Sequence, residues 1–254
     1  MIRPASAAAR PEIGAGVEQE AMKALAARLA PKFVQSTAER VANAVRSEVA
    51  DGRLTPGMRL REPVLVDALR VSRNTLREAL SQLITERLLI REPNRGVSVR
   101  VPDTEDVRDL YRARLVIEPA SLLAGGQAID RTGGDPTLRE TLVHPLREAV
   151  TEGKNAVARG DWPGLSDANQ HFHGAIAAMA GSARINEYMS LLLAEMRLVF
   201  HHVGSLREFH EPYVEQNAAI VRLAEAGEFR PAAEQLTSYL EKTMQHVLDA
   251  YSRL

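Results

Sequence analysis

Apolar residues recur at helical spacing along most of this chain, and the length of the periodic segments changes near residue 102. Before that point the segments are short and two β-rich runs follow them. After it the segments are longer and predict no strand. We therefore expect a mainly α-helical protein in two parts. The helices predicted for the second part are 104–125, 135–158, 161–180, 183–204, 209–226 and 229–252, with glycine-containing turns between them.

The first part, residues 36–102, has the order of elements of a winged helix-turn-helix. A helix over 36–50 ends at a glycine and a Pro-Gly turn, and a short extended segment at 58–60 leads to a second helix over 62–69. A third helix begins after Ser72, and the two β-rich runs, joined by a Pro-Asn-Arg-Gly turn, predict a hairpin. The side chains predicted to face the core are Val41, Ala44, Val45, Val49, Leu65, Leu69, Leu76, Leu80, Leu83 and Ile84.

The third helix of this part carries the residue types that recognise duplex DNA. Ser72 is a good N-cap, because its hydroxyl can accept from the free backbone N–H groups of the first turn. A helix in the major groove presents its N-terminal residues to base edges, which pair with forked arginine donors and short polar side chains. An ordinary amphipathic helix with a solvated basic face is the alternative, and the neighbouring elements favour DNA binding. The polar residues on the side away from the apolar stripe are Arg73, Asn74, Thr75 and Arg77.

These residues resemble the GntR family of bacterial transcriptional regulators. The family pattern has an entry block, a recognition helix and a wing, which are met at residues 52–62, 71–80 and 94–99. The order and spacing of the three blocks also agree with the family. The replacement at Asn74-Thr75 is expected to change which operator is recognised. The departures from the family pattern are Pro63, Val66, Arg70 and Asn74-Thr75.

The resemblance implies a sequence-specific DNA-binding domain over residues 36–102. Arg73 and Arg77 would contact bases and phosphates, and the wing would enter the minor groove. The implied partner is a pseudo-palindromic duplex operator bound by a homodimer, and repression is the favoured outcome. The residues that would contact DNA or support the contacts are Ser72, Arg73, Asn74, Thr75 and Arg77 in the helix and Arg95 and Gly96 in the wing.

The distribution of charge supports DNA binding, although the net charge of the whole chain is −1. Residues 36–102 carry twelve arginines and eight acidic residues, a net +4, whereas residues 103–254 have a net −7 and residues 1–35 a net +2. The positive potential that attracts phosphates therefore lies in the predicted DNA-binding domain. Residues 1–35 are expected to form an N-terminal extension that is partly disordered, because its beginning is rich in alanine, proline and glycine.

The amino-acid composition excludes several kinds of site. There is no cysteine, so neither disulfides nor thiolate metal sites can form. No apolar run approaches membrane-spanning length, and the N-terminus lacks the apolar core of a signal peptide. We expect a cytoplasmic protein without a membrane partner.

The second part, residues 103–254, resembles the FCD effector domain that follows the winged domain in a large GntR subgroup. The resemblance implies an all-α bundle of six to seven helices that binds a small-molecule effector and forms the dimer. The fold class expected for the chain is therefore mainly α, a winged helix-turn-helix followed by this bundle. The residues that carry the resemblance are Tyr111, Arg114, Glu118, Phe172-His173 and Gly227-Glu228.

Many members of that subgroup hold a divalent metal with an Asp, a His four residues later and two further His on later helices. The aligned positions here are Asn169, His173, Asn217 and Tyr239, so only His173 is retained. Asn and Tyr are poor neutral ligands for Zn²⁺ or Ni²⁺, which prefer imidazole and carboxylate. We therefore expect neither a metal nor another cofactor, and a divalent ion held by Asn169 and His173 is the alternative.

The same four positions predict a polar effector pocket, in which Arg114 is available to pair with a carboxylate effector. For His173 the alternative is a hydrogen-bonded core histidine. For Arg114 the alternative is a structural ion pair with Glu118, four residues later on the same helix. His171 is expected to be exposed, because it lies on a different side of the helix from His173.

Two other function classes compete with a regulator. Seven histidines and many carboxylates suggest a metal-dependent hydrolase, but the chain has no His-Glu-x-x-His, no His-Asp pair and no nucleophile signature, so we expect no enzyme activity. A DNA-binding adaptor without a ligand is the second alternative, although the acidic bundle and its candidate pocket are more than dimerisation requires. Three histidines straddle a predicted helix end, and they form either a metal site or a solvated helix terminus. They are His201, His202 and His210.

Overall fold

The computed structural model describes residues 36–93 and 96–254. The N-terminal extension expected over residues 1–35, and Arg95 of the wing, lie outside the described residues. The helices and strands are α1 (Thr37–Ala50), β1 (Arg59–Leu60), α2 (Glu62–Leu69), α3 (Arg73–Thr85), β2 (Leu89–Glu92), β3 (Gly96–Val99), α4 (Thr104–Arg131), α5 (Pro136–Arg159), α6 (Trp162–Ala178), α7 (Ala183–Val203), α8 (Leu206–His210), α9 (Val214–Glu225) and α10 (Phe229–Tyr251), with a 3₁₀ turn at Glu211–Tyr213.

The first six elements form a winged helix-turn-helix. Strand β3 lies between β1 and β2 and pairs with both in antiparallel register. Leu60 lies opposite Val97, and Leu89 lies opposite Val99. The extended segment predicted at 58–60 is therefore an edge strand, and it ties the turn after α1 to the predicted hairpin.

The core of this part lies where α1 and α3 pack together next to the sheet. One predicted core residue is wrong: Ala44 is exposed, and Ala42 is buried in its place because it shares the helical face of Val41 and Val45. The predicted core residues Leu65, Leu69 and Ile84 are half-buried. The buried side chains of α1, α3, the sheet and the turn before β2 are Ala38, Val41, Ala42, Val45, Val49, Leu60, Leu76, Ala79, Leu80, Leu83, Leu88, Leu89, Val97 and Val99.

Arg70 forms the tight turn between α2 and α3. Its backbone is left-handed, with φ 52° and ψ 44°, and its N–H donates to the carbonyls of Val66 and Asp67. A left-handed conformation costs a residue other than glycine about 1–2 kcal/mol. Arg70 therefore holds this turn with local backbone strain.

The first helix of the bundle corrects one predicted boundary. Gly125-Gly126 was expected to end it, but α4 continues to Arg131. Both glycines are buried, and a Cβ on Gly126 would lie 2.7 Å from the ring of Phe229 in α10. Here glycine allows α4 and α10 to approach closely and does not end the helix.

A second boundary differs near the middle of the bundle. The single helix predicted over 209–226 is instead α8, a 3₁₀ turn containing Pro212, and α9. Proline has no N–H to donate to the preceding turn. The backbone leaves helical geometry at His210, with φ −124°, so the chain changes direction there. This turn brings His210 into the bundle.

Helix α7 contributes to both hydrophobic cores of the described chain. Met196, Val199 and Phe200 belong to the bundle core, whereas Leu198, which is fully buried, belongs to the core of the winged part. α7 therefore supports α1 from the side of the bundle. None of the helices in the described ranges is both long and apolar enough to span a bilayer.

Candidate functional site

The N-terminus of α3 presents its polar side chains as the sequence predicts. Ser72 caps the helix, because its Oγ accepts from the backbone N–H of Thr75 at 3.1 Å. The hydroxyls of Ser72 and Thr75 are also 2.8 Å apart. The Ser72 and Thr75 side chains are thus hydrogen-bonded to each other. Arg73 and Asn74, next to them, are exposed.

Arg77 lies one turn after Arg73 and is also accessible. Its side chain is 60% exposed, and its Nε donates to Glu62 Oε2 of α2 at 3.2 Å. An exposed ion pair contributes little to stability, so Glu62 orients this arginine without burying it. The sequence reasoning did not identify that pairing, which joins residues fifteen positions apart.

Gly96 begins the last strand of the wing. Its φ is 86°, and a Cβ built on it would meet nothing within 4 Å. Glycine is therefore favoured here by its backbone conformation, since there is enough space for a side chain. The open surroundings also leave this backbone accessible to a partner.

A second group of predicted residues meets inside the bundle, and four helices supply it. We call this group the polar cluster. Its members are Arg114 and Glu118 of α4, Asn169 and His173 of α6, Asn217 of α9 and Tyr239 of α10.

Glu118 is the centre of the polar cluster. Its Oε1 accepts from Arg114 Nε at 2.6 Å, and its Oε2 lies 2.6 Å from His173 Nδ1. All three side chains are buried. A carboxylate oxygen accepts, so His173 carries a hydrogen on Nδ1, and neutral His173 presents Nε2 as an acceptor. The sequence reasoning paired Glu118 with Arg114 but missed its bond to His173, which lies on another helix.

Tyr239 and the two asparagines complete the polar cluster. The Tyr239 hydroxyl lies 3.3 Å from His173 Nε2 and 3.5 Å from Asn169 Oδ1. It has one hydrogen, so it donates to one of these atoms at a time. Asn217 Nδ2 donates to Asn169 Oδ1 at 3.3 Å. The structure thus brings together the four positions that the resemblance aligned.

The ionisable groups of the polar cluster are an ion pair between Arg114 and Glu118 and a neutral His173. Burial raises the pKa of Glu118, but Arg114 and His173 outweigh burial and the pKa is lowered overall. Burial lowers the pKa of His173, and the opposing effect of Glu118 does not restore it. At neutral pH the cluster therefore holds Arg114⁺, Glu118⁻ and a neutral imidazole.

Several buried polar atoms around this cluster have no hydrogen-bond partner among the described residues. A cavity of about 10 Å³ lies beside Asn169, Asn217 and His210, room for about one water molecule. Each buried polar atom without a partner costs about 1–3 kcal/mol, so a bound polar group would stabilise the bundle. Within the polar cluster the unpaired atoms are Arg114 Nη2 and Asn217 Oδ1. Tyr111 Oη, whose ring packs against Arg114, and His210 Nε2 also lack a partner.

The donor set of the polar cluster does not fit a divalent metal. Asn169 Oδ1 already accepts from Asn217 and faces Tyr239. His173 offers only Nε2, which faces the Tyr239 hydroxyl, because its Nδ1 is bonded to Glu118. The nearby carboxylate, Glu118, is bonded to Arg114 and His173. Across 36–93 and 96–254, no three His, Asp or Glu residues are arranged to hold a metal ion.

The remaining histidines separate into different environments. His171 is exposed, as predicted, and lies 2.7 Å from Glu152 Oε2. The prediction of a solvated terminus is wrong for His210, which is 2% exposed, because α8 folds back over Phe200 and brings the two rings to 4.6 Å. Burial lowers the pKa of His210 to about 3. His201 bonds the carbonyl of Ala50, whereas His202 packs near Tyr251.

Two family patterns match the chain. The pattern described as bacterial regulatory proteins of the gntR family matches residues 37–99, and the FCD domain pattern matches residues 109–242, more than half of the chain. The chain belongs to the GntR family. The resemblance stated from the sequence is thereby confirmed, as is the mainly α fold with a winged helix-turn-helix before a helical bundle.

Proteins named as transcriptional regulators match over most of this chain. A regulator of known structure from Rhodococcus sp. RHA1 is 40% identical, with a TM-score of 0.76, over 85% of this chain and 99% of its own. The uncharacterized HTH-type regulator BphR of Paraburkholderia xenovorans (strain LB400) is 29% identical over 76% of this chain and 79% of its own. The HTH-type transcriptional repressor GlaR of Escherichia coli (strain K12) is 26% identical over 70% and 82%.

This GntR protein is a transcriptional regulator with a DNA-binding helix-turn-helix domain and an FCD effector-binding domain. Proteins of the family bind DNA operators and are not enzymes, so the hydrolase alternative is not favoured.

Proposed function

We propose that this GntR regulator is a homodimeric repressor, in which residues 36–102 bind a pseudo-palindromic operator and residues 103–254 form the dimer and bind a small-molecule effector. The capped start of α3, with Arg73, Asn74 and Arg77 exposed on a part of net charge +4, is the observation that carries the proposal. Two such helices related by a two-fold axis would occupy adjacent major grooves. The name of GlaR, a repressor, favours repression.

The proposed DNA contacts divide into reading and supporting residues. Arg73 and Arg77 carry the base and phosphate contacts, because their guanidinium groups are exposed and can bind in a bidentate way. Ser72 and Thr75 are bonded to each other and support the helix start. The full set proposed for this surface is Ser72, Arg73, Asn74, Thr75, Arg77, Arg95 and Gly96.

The effector is proposed to bind at the polar cluster. The unpaired Arg114 Nη2 and Tyr111 hydroxyl are donors suited to a carboxylate, whereas His173 Nε2 and Asn217 Oδ1 are acceptors suited to a hydroxyl group. We therefore propose a small hydroxylated carboxylate as the effector class. The side chains assigned to this pocket are Arg114, Asn169, His173, Asn217 and Tyr239.

The DNA half is tested with an operator selected in vitro from random duplexes by the full chain. Arg73→Ala and Arg77→Ala should each weaken operator binding by about 1–3 kcal/mol, because each loses a base or phosphate contact. Fluorescence anisotropy measures the affinity. Arg184→Ala, which removes an exposed arginine of α7, is the matched control and should bind as the parent does. Unchanged affinity in both recognition-helix variants, at an unchanged melting temperature, would contradict the assignment.

The effector half is tested by screening small carboxylates, with and without hydroxyl groups, for compounds that raise the melting temperature. His173→Ala should weaken binding of the compound found and leave operator affinity without effector nearly unchanged. His171→Ala, an exposed histidine two residues away, serves as the control. Equal effector affinity in His173→Ala and the parent, or one stoichiometric Zn, Ni or Mn ion per chain by elemental analysis, would count against the proposed pocket.

A further inference from the structure

We propose that Arg197 and His201 of α7 are positioning residues that hold the DNA-binding part in a fixed orientation on the bundle, by bonding the carbonyl oxygen of Ala50. Ala50 is the last residue of α1, which packs against the recognition helix α3. We call Arg197, Leu198 and His201, together with Ala50, the Ala50 contact.

Two donors of the bundle meet at one backbone oxygen. Arg197 Nη1 lies 3.3 Å and His201 Nε2 lies 3.0 Å from the Ala50 carbonyl. The last carbonyls of a helix have no partner within it, and the helix end carries a partial negative charge that favours a cation. Because a carbonyl oxygen only accepts, His201 carries a hydrogen on Nε2 and donates it. The contact thus satisfies the end of α1 with groups from α7.

Leu198 adds apolar packing to these polar bonds. It is fully buried, and its neighbours belong to the core of the winged part. It adjoins Arg197 in the sequence and lies three residues before His201, within one turn of α7. The residues that follow it, Val199 and Phe200, enter the core of the bundle instead. A movement of α7 therefore moves the surface on which α1 rests.

Gly52 makes the close approach feasible. It follows Ala50 by two residues, has a φ of 71°, and a Cβ on it would lie 2.7 Å from His201 Cε1. A side chain at this position would push the imidazole away from the Ala50 oxygen. The glycine thus serves the contact with α7 as well as the turn after α1.

The Ala50 contact also reaches the polar cluster, and this step rests on the proposed function. Arg197 pairs with Asp167 of α6, two residues before Asn169 on the same helix. Phe200 packs against His210, which lines the small cavity and whose Nε2 has no partner among the described residues. A ligand that displaces α6 or His210 would therefore change the position of Arg197 and Phe200. Effector binding would then alter how α1 is held, if the ligand favours one arrangement over the other.

The orientation is measured by the distance between two spin labels. The chain has no cysteine, so Arg40→Cys in α1 and Glu241→Cys in α10 place one label in each part, both at exposed positions. Labelled chain is mixed with excess unlabelled chain, so that only pairs within one chain contribute. We expect one narrow distance distribution in this parent, and a broadened or shifted distribution after Arg197→Ala with His201→Ala.

Matched substitutions separate the contact from general loosening of α7. Arg184→Ala with His202→Ala changes the same residue types on the same helix, and neither residue bonds the winged part in the described structure. This control should keep the narrow distribution. Gly52→Ala should broaden the distribution in the parent and broaden it less in the His201→Ala background, where the imidazole is gone and only the strain of an alanine at a φ of 71° remains.

The outcomes distinguish this inference from the proposed pocket. A distribution that stays unchanged in the double variant, at an unchanged melting temperature, would overturn the role of the Ala50 contact, whether or not an effector binds. If the double variant fails to fold, His201→Ala and Gly52→Ala alone decide the matter by the same readout. Operator affinity should also fall in the double variant and not in its control. None of these measurements needs an effector, so a failed effector search leaves them valid.

Discussion

Glu118 decides the chemistry of the buried polar cluster. It is fully buried and bonds both Arg114 and His173. A buried charge is tolerated only when its partners remain, so the three side chains act as a unit. The two interpretations left open for Arg114, a structural partner and a ligand group, are compatible, because its Nε is bonded to Glu118 whereas its Nη2 has no partner in the described chain.

Replacing Glu118 by glutamine should strongly destabilise the bundle. Glu118→Gln leaves Arg114 buried without its counter-charge, which costs about 3–5 kcal/mol in comparable buried pairs. Denaturation by guanidinium chloride measures the loss of unfolding free energy. Glu105→Gln, an exposed carboxylate of the same helix paired with Arg112, should cost no more than about 1 kcal/mol. Equal losses in the two variants would contradict the role given to Glu118.

Glu195 of α7 should make stability depend on pH. Burial raises the pKa of this carboxyl to about 7, although Arg87 and Arg100 oppose the shift. The folded pKa lies above the unfolded value, so the contribution to stability is full below about pH 4.5 and is lost as the pH rises through about 7. Glu195→Gln removes this loss. Its melting temperature should exceed the parent's at about pH 8.5 and differ little at about pH 5.

The control for this prediction is Glu187→Gln, an exposed carboxylate on the same helix. It should change the melting temperature by a similar small amount at both pH values. Asp106 and Asp109 also face Glu195 and raise its pKa. A Glu195→Gln effect of the same size at both pH values would mean that the carboxyl is already ionised at low pH.

At the scale of elements, close helix packing overrides the usual role of glycine as a helix end. Gly125 and Gly126 lie within α4, against Met179 and the Phe229 ring. Glycine in a helix costs about 1 kcal/mol relative to alanine. The approach of α4 to α10 offsets this cost, since the core residues of both helices can then meet.

Gly126→Ala should therefore destabilise the protein, in spite of the better helix propensity of alanine. The added Cβ would meet the Phe229 ring at 2.7 Å, and overpacking of this kind costs about 1–3 kcal/mol. Gly174→Ala in α6 is the matched control, because the nearest atom to its Cβ is 4.0 Å away. That variant should be neutral or more stable by up to about 1 kcal/mol. Thermal melts compare the two, and the reverse order would refute the packing argument.

At the scale of the molecule, the charge is divided between a basic DNA-binding part and an acidic remainder. A module with a net charge of +4 binds weakly alone, and two modules held together gain from effective concentration. The buried position of Leu198 in the winged core adds a reason why the bundle supports DNA binding. Dimerisation would thus act together with the Ala50 contact.

We predict a dimer at micromolar concentration and two chains per operator duplex, measured by sedimentation with and without DNA. The logarithm of affinity should fall linearly with that of salt concentration, with a slope of about −0.9 for each phosphate contacted. Arg77→Ala should reduce that slope by about one if its guanidinium binds a phosphate. Two results would contradict this prediction. One is a monomer with full affinity for the whole operator, and the other is an affinity that does not depend on salt concentration.

The sequence alone predicted the features that depend on neighbouring residues. These are the helix-turn-helix with its wing, the cap at Ser72, the end of the second helix before Ser72 and the exposed His171. Each follows from local hydrogen bonding or from the spacing of apolar residues, which acts over one or two helical turns. The resemblance to the family also predicted that Asn169, His173, Asn217 and Tyr239 lie in one pocket, although they are far apart in the sequence.

Only the tertiary structure decided which distant side chains meet. The bond from Glu118 to His173, the burial of His210 and the place of Leu198 in the winged core all join residues far apart in the chain. The continuity of α4 through Gly126 likewise depends on the opposing ring of Phe229. The local sequence shows whether a residue is apolar, charged or flexible. Which residue it contacts depends on how the helices pack, because burial and pairing are properties of the folded chain.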